Sequence, residues 1–177
     1  MGEMMKNIVI IGFMGTGKSS VGRVLAARLG RTFYDIDKEI ERREEMSVME
    51  VFAWFGEEYF RAREKEIVQE LSKKSGLVIS TGGGTVADPE NLQLLQEKGV
   101  LICLSASEDT ILERVNRHGT RPLLANMSQE EQRQKIKDLL AARKKMYRKA
   151  VYMLDTSSRG PREVAEDIKK FLRRRGL

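Results

Sequence analysis

The apolar residues of this chain fall into short continuous runs that alternate with longer segments of helical periodicity. Five short runs have the composition of buried strands and cover residues 8–11, 32–35, 77–80, 100–105 and 151–155. Between them, Ser47, Ser107 and Ser128 stand where helix N-caps are expected. Because strands alternate with helices throughout, the pattern predicts right-handed βαβ crossovers and a parallel sheet covered on both faces.

Glycine and proline residues predict where the helices begin and end. We expect Gly30 to end the first helix and Gly56 to separate a helix ending at residue 55 from another over 57–75. Pro161 is expected to begin the last helix. The segment 117–124 lacks periodicity and is predicted to be a mobile loop.

Length and composition limit the class of protein. A chain of 177 residues predicts one domain with a real core, and no apolar stretch approaches the roughly 20 residues of a transmembrane helix. We therefore expect a cytoplasmic, monomeric protein without a membrane partner. The net charge of +6 is spread along the chain without an aromatic basic platform, so no nucleic-acid partner is expected. Cys103, the only cysteine, lies in a strand-like run and is predicted to be buried.

One motif connects the first strand to the first helix. Residues 12–19 read Gly-Phe-Met-Gly-Thr-Gly-Lys-Ser and fit the phosphate-binding pattern G-x-x-x-x-G-K-[ST], whose glycines let backbone N–H groups converge on phosphate oxygens. Lys18 would place its charge on the β and γ phosphates, and the Ser19 hydroxyl would ligate Mg²⁺. The motif predicts a nucleotide site but does not separate kinases from GTPases, ATPases or regulatory switches.

Two carboxylates follow the second strand. Ligands of open α/β sheets bind at the carboxyl ends of the strands, so Asp35 and Asp37 should face the γ-phosphate. Asp35 is the best predicted partner for Mg²⁺, because no apolar strand ends in an aspartate typical of a Walker-B motif beside the loop. For Asp37, an Asx-type cap of the following helix is the open alternative.

The remaining candidates are ambiguous when taken one by one. The glycines at 82–84 either permit close approach to a ligand or form a flexible turn after the third strand. Several arginines either bind an anionic ligand or lie on solvated helix faces: Arg61, Arg121, Arg143 and Arg159. For Arg61, Glu57 supplies an i,i+4 partner that fits the solvated interpretation. His118, the only histidine, is expected in a solvated loop, with a nucleotide contact as the alternative.

Taken together, these motifs resemble those of shikimate kinases over residues 6–172. The matching motifs are Gly12-Phe-Met-Gly15-Thr-Gly17-Lys18-Ser19, Asp35-x-Asp37, Phe60-Arg61-x-x-Glu64, Thr81-Gly82-Gly83-Gly84, Arg121-Pro122-Leu123-Leu124 and Arg143-x-x-x-Tyr147. Gluconate kinases and nucleoside monophosphate kinases share the loop and the fold but differ at the triple glycine and at Phe-Arg-x-x-Glu. The resemblance implies an α/β single-domain P-loop kinase over 1–177, with a five-stranded parallel sheet of order 2-3-1-4-5 and a mobile lid over about 117–126.

The resemblance also implies an activity: transfer of the ATP γ-phosphoryl group to the 3-hydroxyl of shikimate with Mg²⁺, on the route to aromatic amino acids. The residues that it implies for ATP are Gly15, Thr16, Gly17, Lys18, Ser19, Ser20, Arg117, Arg121 and Arg159. Those that it implies for shikimate are Asp37, Arg61, Gly82, Gly83, Gly84 and Arg143, with Phe52, Phe60 and Glu64 shaping the pocket. Arg117 would pack against adenine and Arg121 would belong to the lid. The expected catalytic residues are Lys18, Asp37 and Arg121, and the expected metal ligands are Ser19 and Asp35.

Two alternatives stay open. A related kinase could act on gluconate or on a nucleotide, and a regulatory P-loop switch could bind or hydrolyse a nucleotide without any acceptor. An assay of ADP release with each acceptor separates these classes.

Overall fold

A computed structural model describes residues 5–119 and 121–177. Within these ranges the strands are β1 (Asn7–Gly12), β2 (Phe33–Asp35), β3 (Val78–Ser80), β4 (Gly99–Ser105) and β5 (Tyr152–Asp155). The helices are α1 (Lys18–Leu29), α2 (Ile36–Glu44), α3 (Val48–Ser72), α4 (Pro89–Lys98), α5 (Glu108–Arg117), α6 (Gln129–Tyr147) and α7 (Pro161–Arg174). Two 3₁₀ turns, Thr85–Ala87 and Pro122–Leu124, complete the fold.

The sheet is parallel throughout, and its strand order is β2-β3-β1-β4-β5, which confirms the predicted order. β1 lies at the centre, where Ile8 pairs with Val78 of β3 and with Val100 of β4. All six residues of β1 are buried, because helices cover both faces of the sheet. This explains why the strand is a continuous apolar run in the sequence and does not alternate.

Successive side chains of β1 enter two separate cores, as the two-residue period of a strand requires. Val9 and Ile11 belong to a core with buried side chains from α2, α3, α4, α5 and α6. Ile8 and Ile10 belong to a second core with α1 and α7. Cys103 is buried in the first core, which confirms the packing role predicted for it.

Most of the predicted helix caps are present. Ser47 and Ser128 each form a complete capping box with the glutamate three residues later, and the Ser107 side chain caps α5. Gly30 ends α1 in the left-handed conformation, and Pro161 is the first residue of α7. Within the described ranges no helix is long and apolar enough to cross a membrane.

One expectation about local structure was confirmed and two were wrong. The predicted break at Gly56 is present, because this residue has a non-helical backbone (φ 81°, ψ 173°), and α3 consists of two helical segments that meet there at a kink. The helix then ends at Ser72 and not at residue 75. Asp37 does not cap α2, because the carboxylate of Asp35 fills that position and accepts a hydrogen bond from the Lys38 N–H at 3.1 Å.

Candidate active site

A cleft of about 420 Å³ lies at the carboxyl ends of the strands, where open α/β sheets bind their ligands. It is lined by the phosphate loop and the start of α1, the triple-glycine turn after β3, part of α3, and the end of α5 with the segment that follows it. Among the residues predicted for ATP and shikimate, those lining the cleft are Gly15, Thr16, Gly17, Lys18, Ser19, Ser20, Asp37, Phe52, Phe60, Arg61, Gly82, Gly83, Gly84, Arg117, Arg121, Arg143 and Arg159. The structure thus brings together nearly the whole predicted set.

The phosphate loop, residues 12–19, is held partly by its own side chains. Gly17 has a left-handed backbone (φ 89°) and directly precedes the first turn of α1. The Thr16 hydroxyl and the Lys18 ammonium both donate to the carbonyl oxygen of Phe13, each at 2.7 Å. Lys18 is only 8% exposed, so its charge is held inside the loop and next to the N-terminus of α1.

Burial changes the acid–base properties of two groups in this loop region. Desolvation lowers the pKa of Lys18 to about 8, with repulsion from Arg121 adding to it and attraction to Asp37 and Asp35 opposing it. Desolvation, followed by repulsion from Asp35 and Glu64, raises the pKa of Asp37 to about 6. Perturbed ionisable groups that line one cleft are typical of catalytic sites.

Asp35 lies beside the first turn of α1. One of its carboxylate oxygens caps α2, and the other accepts a hydrogen bond from the Ser19 hydroxyl. Two oxygen donors of the kind that Mg²⁺ prefers are therefore in contact at the edge of the phosphate loop. Within the described ranges no group of three or more His, Cys, Asp and Glu side chains could hold a metal by itself.

Asp37 is held in the first turn of α2 and points toward the triple-glycine turn. A Cβ atom added at Gly82 would lie 2.8 Å from Asp37 Oδ1 and 2.8 Å from Glu64 Oε1, so these two side chains pack directly against the glycine backbone. Asp37 Oδ1 is buried and has no hydrogen-bond partner among the residues that the structure describes. A carboxylate oxygen in that position can accept a hydrogen bond from a bound ligand.

Arg61 lines the cleft on α3, and Glu64, which was predicted to shape the pocket, contacts Arg61 without lining the cleft itself. Glu64 is 1% exposed; its Oε2 accepts from Arg61 Nη1 at 2.8 Å and its Oε1 accepts from the Thr85 hydroxyl. Arg61 also contacts Glu57 at 3.2 Å, which is the i,i+4 pair that the sequence offered, yet its guanidinium still lines the cleft. A Cβ atom at Gly84 would lie 2.7 Å from Arg61 Nη2. The triple glycine is therefore a close-packing site for charged side chains and not merely a flexible turn.

Arg143 approaches the same turn from α6. Its Nη1 donates to the carbonyl oxygen of Gly83 at 3.0 Å, and the Tyr147 hydroxyl donates to the same oxygen at 2.8 Å. The guanidinium carbon lies 5.5 Å from the ring centroid of Phe13. Arg143 is 7% exposed and forms no ion pair with any residue in the described part of the chain. A buried arginine without a carboxylate partner marks a position that favours an anionic ligand.

Two aromatic rings from α3 complete this end of the cleft. The Phe52 and Phe60 ring centroids are 4.8 Å apart, and the Arg61 guanidinium lies 5.3 Å from the Phe60 ring. The rings supply an apolar surface beside the charged groups, as a site for a small cyclic acid requires.

The arginines at the other end of the cleft are held by surface carboxylates; Arg117 is exposed and Arg159 is half-buried. Arg117 pairs with Glu113 on its own helix, and Arg159 contacts Glu163 at 2.9 Å and also Asp167. Two further cleft-lining residues of the loop after α5, Arg121 and His118, are exposed as well.

The predicted lid over 117–126 is only partly loop. Arg117 is the last residue of α5, and the turn Pro122–Leu124 contains Leu124, which is fully buried. Thr120, which falls inside the predicted lid, lies outside the described residues. Leu124 anchors the second half of this segment, whereas Arg117, His118, Gly119 and Arg121 before it and Asn126 after it are exposed.

Arg114 and Thr156 contribute to the site, although the sequence analysis did not single them out. Arg114 donates to the carbonyl oxygen of Gly15 at 3.1 Å and to that of Thr156 at 2.6 Å. The Thr156 hydroxyl donates to the carbonyl oxygen of Thr16 at 2.9 Å. Together they fasten the phosphate loop to the end of β5. Arg114 lies on a helix that reads as an ordinary amphipathic segment, and no local signal marks its long-range contacts.

Comparison with known proteins identifies one family over most of the chain. A family model described as shikimate kinase matches residues 14–173. A shikimate kinase from Thermodesulfovibrio yellowstonii is 47% identical over 166 residues, which cover 94% of each chain. One from Pelotomaculum thermopropionicum is 47% identical over 169 residues, which cover 96% of each chain.

A solved structure agrees with these relatives. The shikimate kinase from Acinetobacter baumannii in complex with shikimate matches with a TM-score of 0.91 at 37% identity, and the match covers 99% of this chain and 97% of that one. The phosphate loop, the paired aspartates, the triple glycine and the buried arginine are thus found in a chain that belongs to the shikimate kinase family.

Proposed function

We propose that this protein transfers the γ-phosphoryl group of ATP to the 3-hydroxyl of shikimate, forming shikimate 3-phosphate for aromatic amino acid biosynthesis. The observation that carries the proposal is Asp37 Oδ1, a buried carboxylate oxygen without a partner in the described chain. It lies in one cleft with the phosphate loop and with two arginines suited to a carboxylic acid, Arg61 and Arg143. Family membership and the shikimate bound in the Acinetobacter baumannii relative support the same substrate.

The acid group of the substrate is proposed to lie between Arg61 and Arg143. Both guanidinium groups line the cleft around the glycines 82–84, and Arg143 has no carboxylate partner in the described chain. Planar guanidinium groups bind a carboxylate through paired hydrogen bonds, which a lysine cannot reproduce. Phe52 and Phe60 would contact the carbon ring, and Glu64 holds Arg61 in place through its 2.8 Å hydrogen bond.

Asp37 is proposed to accept the hydrogen bond of the attacking hydroxyl and to orient it toward the γ-phosphate. The loose transition state of phosphoryl transfer places charge on the phosphate oxygens, so positioning and charge neutralisation do most of the work. Lys18 would neutralise that charge from within the loop, and Arg121 would do so from the lid. An Asp37 carboxyl with a pKa of about 6 can also take up the hydroxyl proton late in the transfer.

Mg²⁺ is proposed to be held by the Ser19 hydroxyl and the Asp35 carboxylate, directly or through water. Their contact at the phosphate loop fits this ion, which uses one or two protein oxygens together with phosphates and water. When bound, Mg²⁺ supplies charge neutralisation at the β and γ phosphates. Thr16, Gly15, Gly17 and Ser20 would contribute the rest of the phosphate cradle, with Arg117 and Arg159 beside the nucleotide base.

We also propose that the protein is a monomer with a single domain and that it functions in the cytoplasm. Residues 117–126 would form a lid. The lid would exclude water from the γ-phosphate, since water would otherwise compete with the acceptor.

An assay of ADP release with different acceptors tests this function. We expect turnover with ATP, Mg²⁺ and shikimate, and background rates with gluconate, with nucleoside monophosphates and without an acceptor. Lys18→Met is the matched control for contaminating ATPase activity. Equal ADP release with and without shikimate would contradict the proposal and favour a P-loop switch, while preference for gluconate or a nucleotide would assign a related kinase.

A further inference from the structure

A second cavity of about 520 Å³ adjoins the active-site cleft and is lined by α6 and by residues near the carboxyl ends of β1, β4 and β5. We name it the α6 pocket; its apolar lining includes Phe13, Cys103, Leu140, Ala141, Tyr147 and Met153. A cavity of this size is large enough for a small organic ligand, for which pockets of about 300–1,000 Å³ are usual.

The α6 pocket exists because the edge of the sheet is incompletely covered. β5 is an edge strand, and Met153, which pairs with Cys103 of β4, is 48% exposed although it continues an apolar strand. The side of α6 that lines the pocket is mixed: Leu140 and Ala141 are apolar, whereas Lys137 and Lys144, one turn to either side, are charged. The helix therefore presents a partly cationic surface above an apolar floor.

The charge at the rim is unbalanced. Lys137, Lys144 and Arg148 all line the pocket and are exposed, and none of them forms an ion pair within the described ranges. Glu108 is the one acidic residue among the lining residues. Three cations around an apolar cavity are complementary to an anion with an apolar body.

We propose that the α6 pocket binds a small amphipathic anion, with an aromatic body over Phe13, Cys103 and Met153 and a carboxylate or sulfonate at the lysine rim. A second copy of this chain is disfavoured as the occupant, because each copy would bring the same cations to the interface. The ligand class follows from the lining alone and does not depend on the reaction.

The walls of the α6 pocket are also parts of the active site, so occupancy should change the kinetics. Phe13 carries the carbonyl oxygen to which Thr16 and Lys18 donate, and Tyr147 donates to the carbonyl oxygen of Gly83. A ligand against the Phe13 and Tyr147 rings contacts both the phosphate loop and the triple-glycine turn. This second part of the inference rests on the proposed function, whereas binding itself does not.

Binding is tested on the full chain with 1-anilinonaphthalene-8-sulfonate, an aromatic anion that fluoresces in apolar sites, and with N-phenyl-1-naphthylamine, its uncharged counterpart. We expect saturable binding of one anion per chain, weaker binding of the neutral probe, and a shift in the affinity for the anion that reaches a limit at saturating ATP with Mg²⁺ or shikimate, because coupling between two sites is reciprocal.

A charge-reversed pair supplies the decisive variant. The double substitution Lys137→Glu with Lys144→Glu should weaken binding of the anion by roughly tenfold and leave binding of the neutral probe unchanged. The matched control is Lys145→Glu with Lys149→Glu, which makes the same charge change on exposed positions that do not line the pocket. Circular dichroism and acceptor-dependent turnover show that each variant is folded.

Several results would overturn the inference. Complete, competitive displacement of the anion by ATP or shikimate would place it in the main cleft. Equal weakening of anion binding in the control pair would show that net charge alone causes the effect. A concentration-dependent dimer that the Lys137/Lys144 variant abolishes would assign the surface to a second copy. Binding of the anion without any change in the KM for ATP or shikimate would refute the coupling, and this result is distinguishable from a protein that shows no turnover with shikimate at all.

Discussion

The two ends of the cleft are built differently. At the acceptor end, Arg143 and Glu64 are buried and fixed by hydrogen bonds to Gly83 and to Arg61. At the nucleotide end, Arg117 is held by a carboxylate of its own helix, and Arg159, which precedes α7, is held by carboxylates of that helix.

This difference indicates which part of the site is already formed before the ligand binds. Buried hydrogen-bonded groups keep their positions without a substrate, so the acceptor end is preorganised for a small rigid acid. Exposed ion pairs contribute about 0–1 kcal/mol and exchange easily, so the nucleotide end can be rearranged by ATP itself. Substitutions should therefore have large effects at the acceptor end and small effects at the nucleotide end.

The largest effect is expected where the two ends meet. Lys18→Met removes the buried charge in the phosphate loop, so kcat should fall by about a hundredfold or more while the fold is retained. Steady-state kinetics and the melting temperature measure the two quantities. A folded variant with normal kcat would remove Lys18 from the mechanism.

The next effect distinguishes two aspartates that are two positions apart. Asp37→Asn removes the unpaired carboxylate and should lower kcat by about a hundredfold, with ATP binding near normal and no rescue by extra Mg²⁺. Asp35→Asn should lower the activity in a way that extra Mg²⁺ partly restores. It should change the stability of the fold little, since asparagine caps a helix about as well as aspartate. Mg²⁺ titrations of both variants provide the comparison, and a normal kcat for Asp37→Asn would exclude the role proposed for it.

The comparison between the two ends is tested most directly by one arginine from each. Arg143→Lys loses the bidentate geometry and the contact to Gly83, so the KM for shikimate should rise by roughly tenfold with the KM for ATP unchanged. Arg159→Lys should change the KM for ATP by less than about threefold, because Arg159 is held by surface carboxylates. If the two variants showed equal effects, the two ends would not differ in preorganisation.

A smaller effect is expected in the lid. Amide hydrogen exchange in residues 117–119, 121 and 123 should slow by about tenfold when ATP and shikimate are both bound, because closure adds contacts to an exposed segment. Leu124 is already buried, and its amide should change little. Equal exchange with and without both ligands would argue against a lid.

The smallest effect concerns the hydrogen bond from Tyr147 to Gly83. Tyr147→Phe should lower the free energy of unfolding by about 1 kcal/mol near neutral pH. Burial raises the pKa of Tyr147 to about 12, so the folded protein retains the phenol proton where the unfolded chain loses it. The stabilising contribution of Tyr147 is thus complete below about pH 10 and decreases as the pH rises toward about 12.

Urea unfolding of the wild type and of Tyr147→Phe at increasing pH measures this dependence. The difference between the two proteins should shrink above about pH 10, and groups such as Lys18 cancel because both proteins contain them. A difference that stays constant with pH would show that Tyr147 is not protected by burial.

Much of this fold could be predicted because its signals are local. The continuous apolar run of β1 indicates a strand covered on both faces, and Ser47 with Glu50 indicates the start of α3. The phosphate loop needs only eight consecutive residues, so the nucleotide site could be located from sequence alone. The acceptor residues could be recognised as a set only through the resemblance to a family.

The remaining features depend on contacts between distant parts of the chain. Arg114 reaches the phosphate loop across 99 positions, and nothing in its own helix indicates this contact. Asp35 takes the cap of α2 because the helix begins at Ile36, directly after β2 ends at Asp35, and this leaves Asp37 free to face the cleft.

The carbonyl oxygen of Phe13 has a consequence for turnover. It accepts hydrogen bonds from the ammonium of Lys18 and the hydroxyl of Thr16, and so provides the lysine with an acceptor that belongs to the protein itself. Nucleotide arrival and departure are then exchange reactions, in which Lys18 moves between a backbone oxygen and a phosphate oxygen. Departure of ADP leaves no buried donor without an acceptor, so the barrier to emptying the site is lower than the strength of the lysine–phosphate contact alone would give.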